Sequence, residues 1–375
     1  MWFVPSFLKT ETTATSRNER NDRSKRQLSV RLHWALGLSL LLIGSRSGLA
    51  GDPPYPRSDV FQRIEFQADS LVRKAPGSDI WSCTWAEDGD LYAAWGDGGG
   101  FGGTDSEGRV SIGVAAIQGK PPNWTGVNVW GGREPRSNQK PTEGKGTMIA
   151  VRGALYLFIS EQNEWDRCRL WKSSDKGLSW QDEGWIFPRS HKVFAFPGLV
   201  QHGQDNRLSA DGYIYGFSDN DPKRAQDKRL YLFRVKPAQI ATLGAYEYFS
   251  GTTRSPAWST HFEDRKPVFE NPEGISWGTT CVYHPASGRY LLSVTTDVNH
   301  GDWGLYEGPK PWGPWKTVAY GGEFPEWTYT PSEKGRPAYL HTFPAKWMSP
   351  DGTTLWCVFD RGDHFNLARC RLIMH

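Results

Sequence analysis

The chain has 375 residues, room for one large domain or two to three small ones, and a formal charge of +3 on 42.3 kDa leaves it near neutrality. No Lys/Arg block interleaved with aromatic residues runs through its body, which argues against a phosphate-tracking surface and against nucleic acid as a partner. Cys83, Cys168, Cys281, Cys357 and Cys370 are widely separated, odd in number and without C-x-x-C spacing, which excludes a zinc centre and a disulfide framework. Cys357 and Cys370 are expected on neighbouring strands, where export would allow them to join.

Residues 1–50 differ from the rest. An Arg-rich leader ends in RSKRQLSVR, the apolar run WALGLSLLLIG spans Trp34 to Gly44, and Gly48-Leu49-Ala50 supplies small residues before GDPPYP. This is the pattern of a signal peptide with a long n-region, so a secreted or periplasmic chain beginning near Gly51 is expected. Eleven apolar residues fall short of the roughly 20 needed to span about 30 Å of hydrocarbon, which makes an uncleaved anchor the weaker alternative and stable membrane insertion of the mature chain unexpected. Residues 51–74 form an N-terminal segment whose VFQRIEF is the expected closing strand of the domain that follows.

From residue 75 onward one unit recurs: a turn with glycine, an apolar and aromatic strand, then an acid. It reads DGDLYAAWGD to Asp97, RGALYLFISE to Glu161, DGYIYGFSD to Asp219, SGRYLLSVTTD to Asp297 and DGTTLWCVFD to Asp360. The turn glycines Gly89, Gly153, Gly212, Gly288 and Gly352 stand 64, 59, 76 and 64 residues apart. Each is flanked by further strand-like segments, and almost no long 3.6-period stretch occurs, so each unit reads as a three- or four-stranded meander. Small twisted sheets bury both faces by stacking around an axis. The predicted fold is therefore all-β, a five-bladed β-propeller, with blades near 75–130, 144–182, 195–236, 276–318 and 338–373; a β-sandwich is the alternative. In a propeller the five acids would ring one mouth, although an acid can also simply cap its own turn.

The run after Asp97, GGGFGG, fits G-x-G-x-x-G through Gly98, Gly100 and Gly103, but TDSEGRVSIGVAAI follows and opens no helix, so a dinucleotide site is excluded. The glycines are expected to permit sharp turns and leave room for a bulky ligand.

WKSSDKGLSW resembles the Asp-box (S-x-D-x-G-x-T-W) of sialidases and other glycan-processing β-propellers, with Ser179 in place of Thr. In those families the motif is a hairpin staple, which implies structural roles for Ser173, Asp175, Gly177 and Trp180. SDIWSCTWAEDGDLYAAWGDGGG and GPKPWGPWKTV, with the blade count, resemble a family of exported bacterial five-bladed propellers that includes endo-D-arabinanases, over most of residues 75–373. That resemblance implies inward-facing carboxylates, typically one on the innermost strand of the first blade, where Asp79 stands. A sialidase proper would imply six blades, an arginine triad and a Tyr–Glu pair, and no such set is assignable.

The first hairpin points to the same residues. With Glu87-Asp88-Gly89 as a three-residue turn, Trp85 pairs with Leu91, Cys83 with Ala93, Trp81 with Trp95 and Asp79 with Asp97, placing the two acids on one face with Cβ atoms roughly 4.5–5.5 Å apart. Two carboxylates so close raise one pKa, the asymmetry glycoside cleavage needs. A two-residue Asp88-Gly89 turn would put them on opposite faces. Asp79 is the expected nucleophile or base and Asp97 the general acid, with Glu161 as substitute acid. Asp219, Asp297, His300, Asp360 and His364 are candidate substrate contacts alongside Asp221 and Asp363, and Trp81, Trp95 and Trp303 candidate stacking faces. Arg133 and Lys145 have no assigned position. No cofactor is expected, although Asp219-Asn220-Asp221 offers oxygen ligands suited to Ca2+ without an EF-hand loop. The expected function is polysaccharide cleavage; the alternative is a non-catalytic propeller that binds glycan or protein.

Overall fold

Strands dominate because the repeat is written in β-branched and aromatic residues bounded by turn glycines. The computed structural model describes residues 52–375 apart from 161–166, 192, 219–226, 277, 297–301, 324, 326–327 and 329–337. After β1 (Phe61–Lys74), β2 (Asp79–Trp85), β3 (Leu91–Gly96), β4 (Ile112–Lys120) and β5 (Asn123–Trp130) form the first antiparallel sheet. The second comprises β6 (Lys145–Val151), β7 (Ala154–Ser160), β8 (Cys168–Ser173) and β9 (Gln181–Phe187). The third has β10 (Gly198–Gln201), β11 (Ile214–Ser218) and β12 (Asp227–Val235), whose outer edge is shared by β13 (Glu247–Phe249) and β15 (Pro267–Ile275), while β14 (Trp258–Ser259) extends β13. The fourth runs β16 (Thr280–His284), β17 (Arg289–Thr295), β18 (Asp302–Gly308) and β19 (Lys316–Glu323); the last runs β20 (Tyr339–Thr342), β21 (Thr354–Asp360) and β22 (Phe365–Met374). β1 returns to pair with β22 and supplies the outermost strand of this last sheet.

The innermost strands touch in a closed cycle, β2 to β6 to β10 to β16 to β20 and back to β2, so the sheets form a propeller. Five apolar clusters fill the five seams. Trp81, Leu91 and Phe365 pack in the seam between the last and first sheets, and Phe158, Phe187 and Phe233 in the seam between the second and third. The turn glycines Gly89, Gly153, Gly212, Gly288 and Gly352 all have φ between 67° and 88°, the left-handed region that makes glycine the residue of choice there. The widest spacing, between Gly212 and Gly288, accommodates β13 to β15, which lie beyond the expected end of the third blade at 236.

Side chains cross every seam. The Ser82 and Thr84 hydroxyls accept the Met148 and Ala150 amides, at 3.1 and 2.8 Å. Thr147 donates to the Pro197 carbonyl at 2.7 Å, Thr280 donates to the His341 carbonyl, and the Ile80 amide donates to Asp360 at 2.9 Å. Between β10 and β16 the strands themselves pair, Val200 with Cys281 and Gln201 with Val282, in parallel, and the Gly77 amide donates to the Asp363 carbonyl at 2.8 Å across the seam between the last and first sheets. Each such bond contributes on the order of 1 kcal/mol net.

The WKSSDKGLSW hairpin joins β8 to β9. Asp175 accepts the Ser179 amide at 2.8 Å and the Ser179 hydroxyl at 2.6 Å, Ser173 accepts the Gly177 amide at 2.8 Å, and the Trp180 indole donates to the Gly177 carbonyl at 3.0 Å. All five cysteines are buried free thiols; Cys357 stands opposite Ala368 and Cys370 opposite Leu355, so the two are neighbours across β21 and β22 without being cross-strand partners. No described helix is long and apolar enough to cross a membrane.

Candidate active site

Asp79 opens β2, Asp97 follows β3, Lys145 opens β6 and Asp360 closes β21, so the repeat brings all four to one end of the ring. The hairpin follows the three-residue turn from Trp85↔Leu91 to Ser82↔Ala94, and then a bulge intervenes. The extra residue lies in β2, where Ile80 has φ 58°, and Asp79 faces Gly96 instead of Asp97. The direct Asp79–Asp97 pairing is therefore displaced by one residue. The carboxylates nevertheless converge, because Asp97 turns back with φ 48° and Lys145 stands between them. Its Nζ is 2.8 Å from Asp97 Oδ2 and 3.6 Å from Asp79 Oδ1. Arg109 Nη2 approaches Asp97 Oδ1 at 3.3 Å.

These partners give the two acids unlike environments. Burial pushes Asp79 up to about 7, the charges of Asp97 and Asp363 act in the same direction, and Lys145 opposes them. Asp97 has a cation on each oxygen. The raised carboxyl is that of Asp79, the residue expected from the sequence to be the nucleophile or base. Left-handed backbone at Ile80, Asp97, Leu340 (φ 54°) and Asp363 (φ 54°) gathers strain around the same mouth, and for β-branched Ile80 this is a genuine outlier. Ile80, Phe196 and Leu340, packed with Tyr339, form a small apolar cluster at its base.

Other expected contacts take different positions. Asp360 is completely buried, so it is not a substrate contact: it accepts the Ile80 amide and the Tyr339 hydroxyl, and burial followed by the nearby Asp79 charge pushes its carboxyl well above the usual range. Trp81 and Trp95 have no exposed surface and stack on each other at 5.4 Å and 27°, so neither offers a face to a sugar. Trp303 is likewise buried, edge-on to Phe66. Trp81→Ala is expected to lower stability by about 3–5 kcal/mol, the range for emptying a large aromatic site, as urea unfolding would measure. His364 is half-buried, with Nδ1 facing the Gly362 carbonyl and Arg73 Nη2, the latter at 3.3 Å. Glu161, Asp219, Asp221, Asp297 and His300 lie outside the described residues. Among the described residues no cluster of His, Cys, Asp and Glu is disposed to hold a metal ion.

The glycine loop after Asp97 also has a different purpose from the open space expected. A Cβ at Gly98 or Gly99 would strike the carbonyls of Gly77 and Glu107, and one at Gly100 would strike the Asn128 side chain. Asn128 donates to the carbonyls of Gly99, Phe101 and Arg133 at 3.1, 3.0 and 2.8 Å, and Arg133 reaches Gly102 and Glu107. Glycine is needed there for close packing of backbone on backbone behind Asp97. Lys145, which the sequence alone left without a position, stands against both acids. The available signal was its place at the head of KGTMIAV, matching Asp79 at the head of DIWSCTW.

Residues 129–334 match the model of a family described as a domain of unknown function, DUF4185. The chain belongs to the DUF4185 family. The stretch matched to DUF4185 includes Lys145, while Asp79, Asp97 and Asp360 lie on either side of it. Among solved structures, a putative hydrolase from Bacteroides ovatus is similar at 11% identity and TM-score 0.49, over 79% of this chain and 85% of that one. The α-L-arabinofuranosidase of Podospora anserina in complex with cellotriose is similar at 11% identity and TM-score 0.44, over 79% and 91%. A GH43_1 enzyme from Xanthomonas citri gives 11% and 0.44, over 81% and 91%. No curated protein matches the sequence. A fold hosts many chemistries, so that of this DUF4185 member rests on its own side chains.

Proposed function

We propose that the protein is a secreted glycoside hydrolase that cleaves a polysaccharide with the Asp79–Asp97 pair. The observation that carries the reading is the contrast within that pair: a buried carboxyl that holds its proton up to about 7 stands beside a carboxylate flanked by Lys145 and Arg109. Glycoside cleavage needs this combination. Asp79 would pass its proton to the glycosidic oxygen as the bond from that oxygen to the anomeric carbon breaks. Ionised Asp97 would either attack the anomeric carbon or take a proton from the attacking water. Glu161, following β7 as Asp97 follows β3, remains the candidate substitute acid. The resemblance of the first and fourth blades to propellers that include endo-D-arabinanases makes D-arabinan the first substrate to try.

The test is release of reducing ends from plant, algal and bacterial polysaccharides by the chain beginning at Gly51. Because Asp79 must be protonated to act, kcat/KM is expected to fall as pH rises through about 7. Binding without cleavage of any glycan in the panel would replace the hydrolase with a glycan-binding propeller. The anomer first formed, read by NMR, would separate attack by Asp97 from activation of water.

A further inference from the structure

Lys145 is set in the wall of the site. Its side chain is only 8% exposed, it arises from the second sheet while both carboxylates belong to the first, and it lies across the end of β3 at Gly96. A Cβ at Gly96 would fall 2.6 Å from Asp79 Oδ1 and 2.9 Å from Lys145 Nζ, so any side chain there would occupy the lysine's place. Gly96 is not in the left-handed region, and space is what its missing side chain provides.

We propose that Lys145 is the positioning cation of the carboxylate pair, seated in a notch made by Gly96, and that it keeps the two acids in different protonation states during turnover. The inference rests on the hydrolase reading only for its catalytic consequence. A buried ammonium favours a nearby negative charge, and the shorter contact directs that effect first to Asp97. When Asp79 releases its proton, the new carboxylate finds the same ammonium 3.6 Å away and the charge is met without water. The other groups facing Asp79 cannot do this: the Asp363 charge disfavours its ionisation, Asp360 and the Tyr339 hydroxyl on the last sheet carry no positive charge, and Arg109 is paired to Asp97 and Asp105.

The test compares Lys145→Gln, Lys145→Arg and Gly96→Ala with the parent chain, following the Asp79 carboxyl by 13C NMR titration, a readout that needs no turnover. The Asp79 midpoint is expected to rise by about one unit or more in Lys145→Gln, the span one opposite charge commands. In Lys145→Arg it should stay near the parent value. In Gly96→Ala it should rise although the lysine is still present. On a cleaved glycan, both limbs of the pH profile should move to higher pH in Lys145→Gln, with kcat lowered at least about tenfold and KM little changed. An Asp79 midpoint that stays in place in Lys145→Gln or Gly96→Ala overturns the proposal. So does a lowered Tm in either variant with an unmoved pH profile. Should Lys145→Gln fail to fold, the Gly96→Ala and Lys145→Arg titrations decide. A shifted midpoint in a chain that cleaves nothing would uphold the lysine's role and dismiss the hydrolase, whereas cleavage with a fixed midpoint would do the reverse.

Discussion

Asp79→Asn is expected to lower glycan turnover by about a thousandfold or more while leaving Tm at pH 8 unchanged or higher. The amide keeps the shape of the carboxyl but has no proton to give, and general acid catalysis of this kind contributes about 10²- to 10⁴-fold. The stability half follows from linkage. Asp79 holds its proton up to about 7 in the folded chain and to about 3.9 in the unfolded one, so folding takes up a proton between those values. Its stabilising contribution is complete below the unfolded value and is lost as pH rises through about 7, above which the native state must bury a charge. Asparagine is neutral at every pH, so the difference in Tm between variant and parent should move in favour of the variant from pH 5 to pH 8. Calorimetry across that range, with a reducing-end assay on the same samples, measures both halves. A parent that loses no stability over the window would contradict the burial argument even if activity disappeared.

Removal of residues 52–74 from the chain that begins at Gly51 is expected to prevent folding. β1 pairs with β22 from Phe61↔Met374 to Lys74↔Phe365 and buries Phe61 to 1% exposure against the fourth and last sheets. Without it β22 becomes an exposed edge, and the last sheet loses its outer strand and part of the cluster that holds it to its neighbour. Against a net stability of about 5–15 kcal/mol, loss of a whole strand is decisive. Circular dichroism should show no cooperative melt for the shortened chain, and a synthetic peptide of residues 52–74 added in trans should restore one. A cooperative melt near the parent Tm would show that the ring needs no such closure.

The repeat was legible because its punctuation is stereochemical: a left-handed turn position selects glycine, and five such positions mark five hairpins. VFQRIEF was legible as a strand left over once the units had been counted. The site was legible only in part. Asp79 and Asp97 follow from strand ends, but the bulge at Ile80 places a β-branched residue where its own conformational preference opposes it, so no local pattern announces it. Lys145 approaches from another blade, and its pairing depends on how two sheets stack. Trp81 and Trp95 were misread because an aromatic residue in a strand has the same letter whether it lines a cleft or fills a seam.

The direct strand pairing of β10 with β16 makes the third and fourth sheets one continuous surface of amides. Gly198 sits beside the Thr279 carbonyl at that join, close enough that no larger residue would fit. The ring is thus uneven. Of the five joins near the axis this one is a strand ladder, and Asp79, Asp97 and Lys145 stand on sheets outside it.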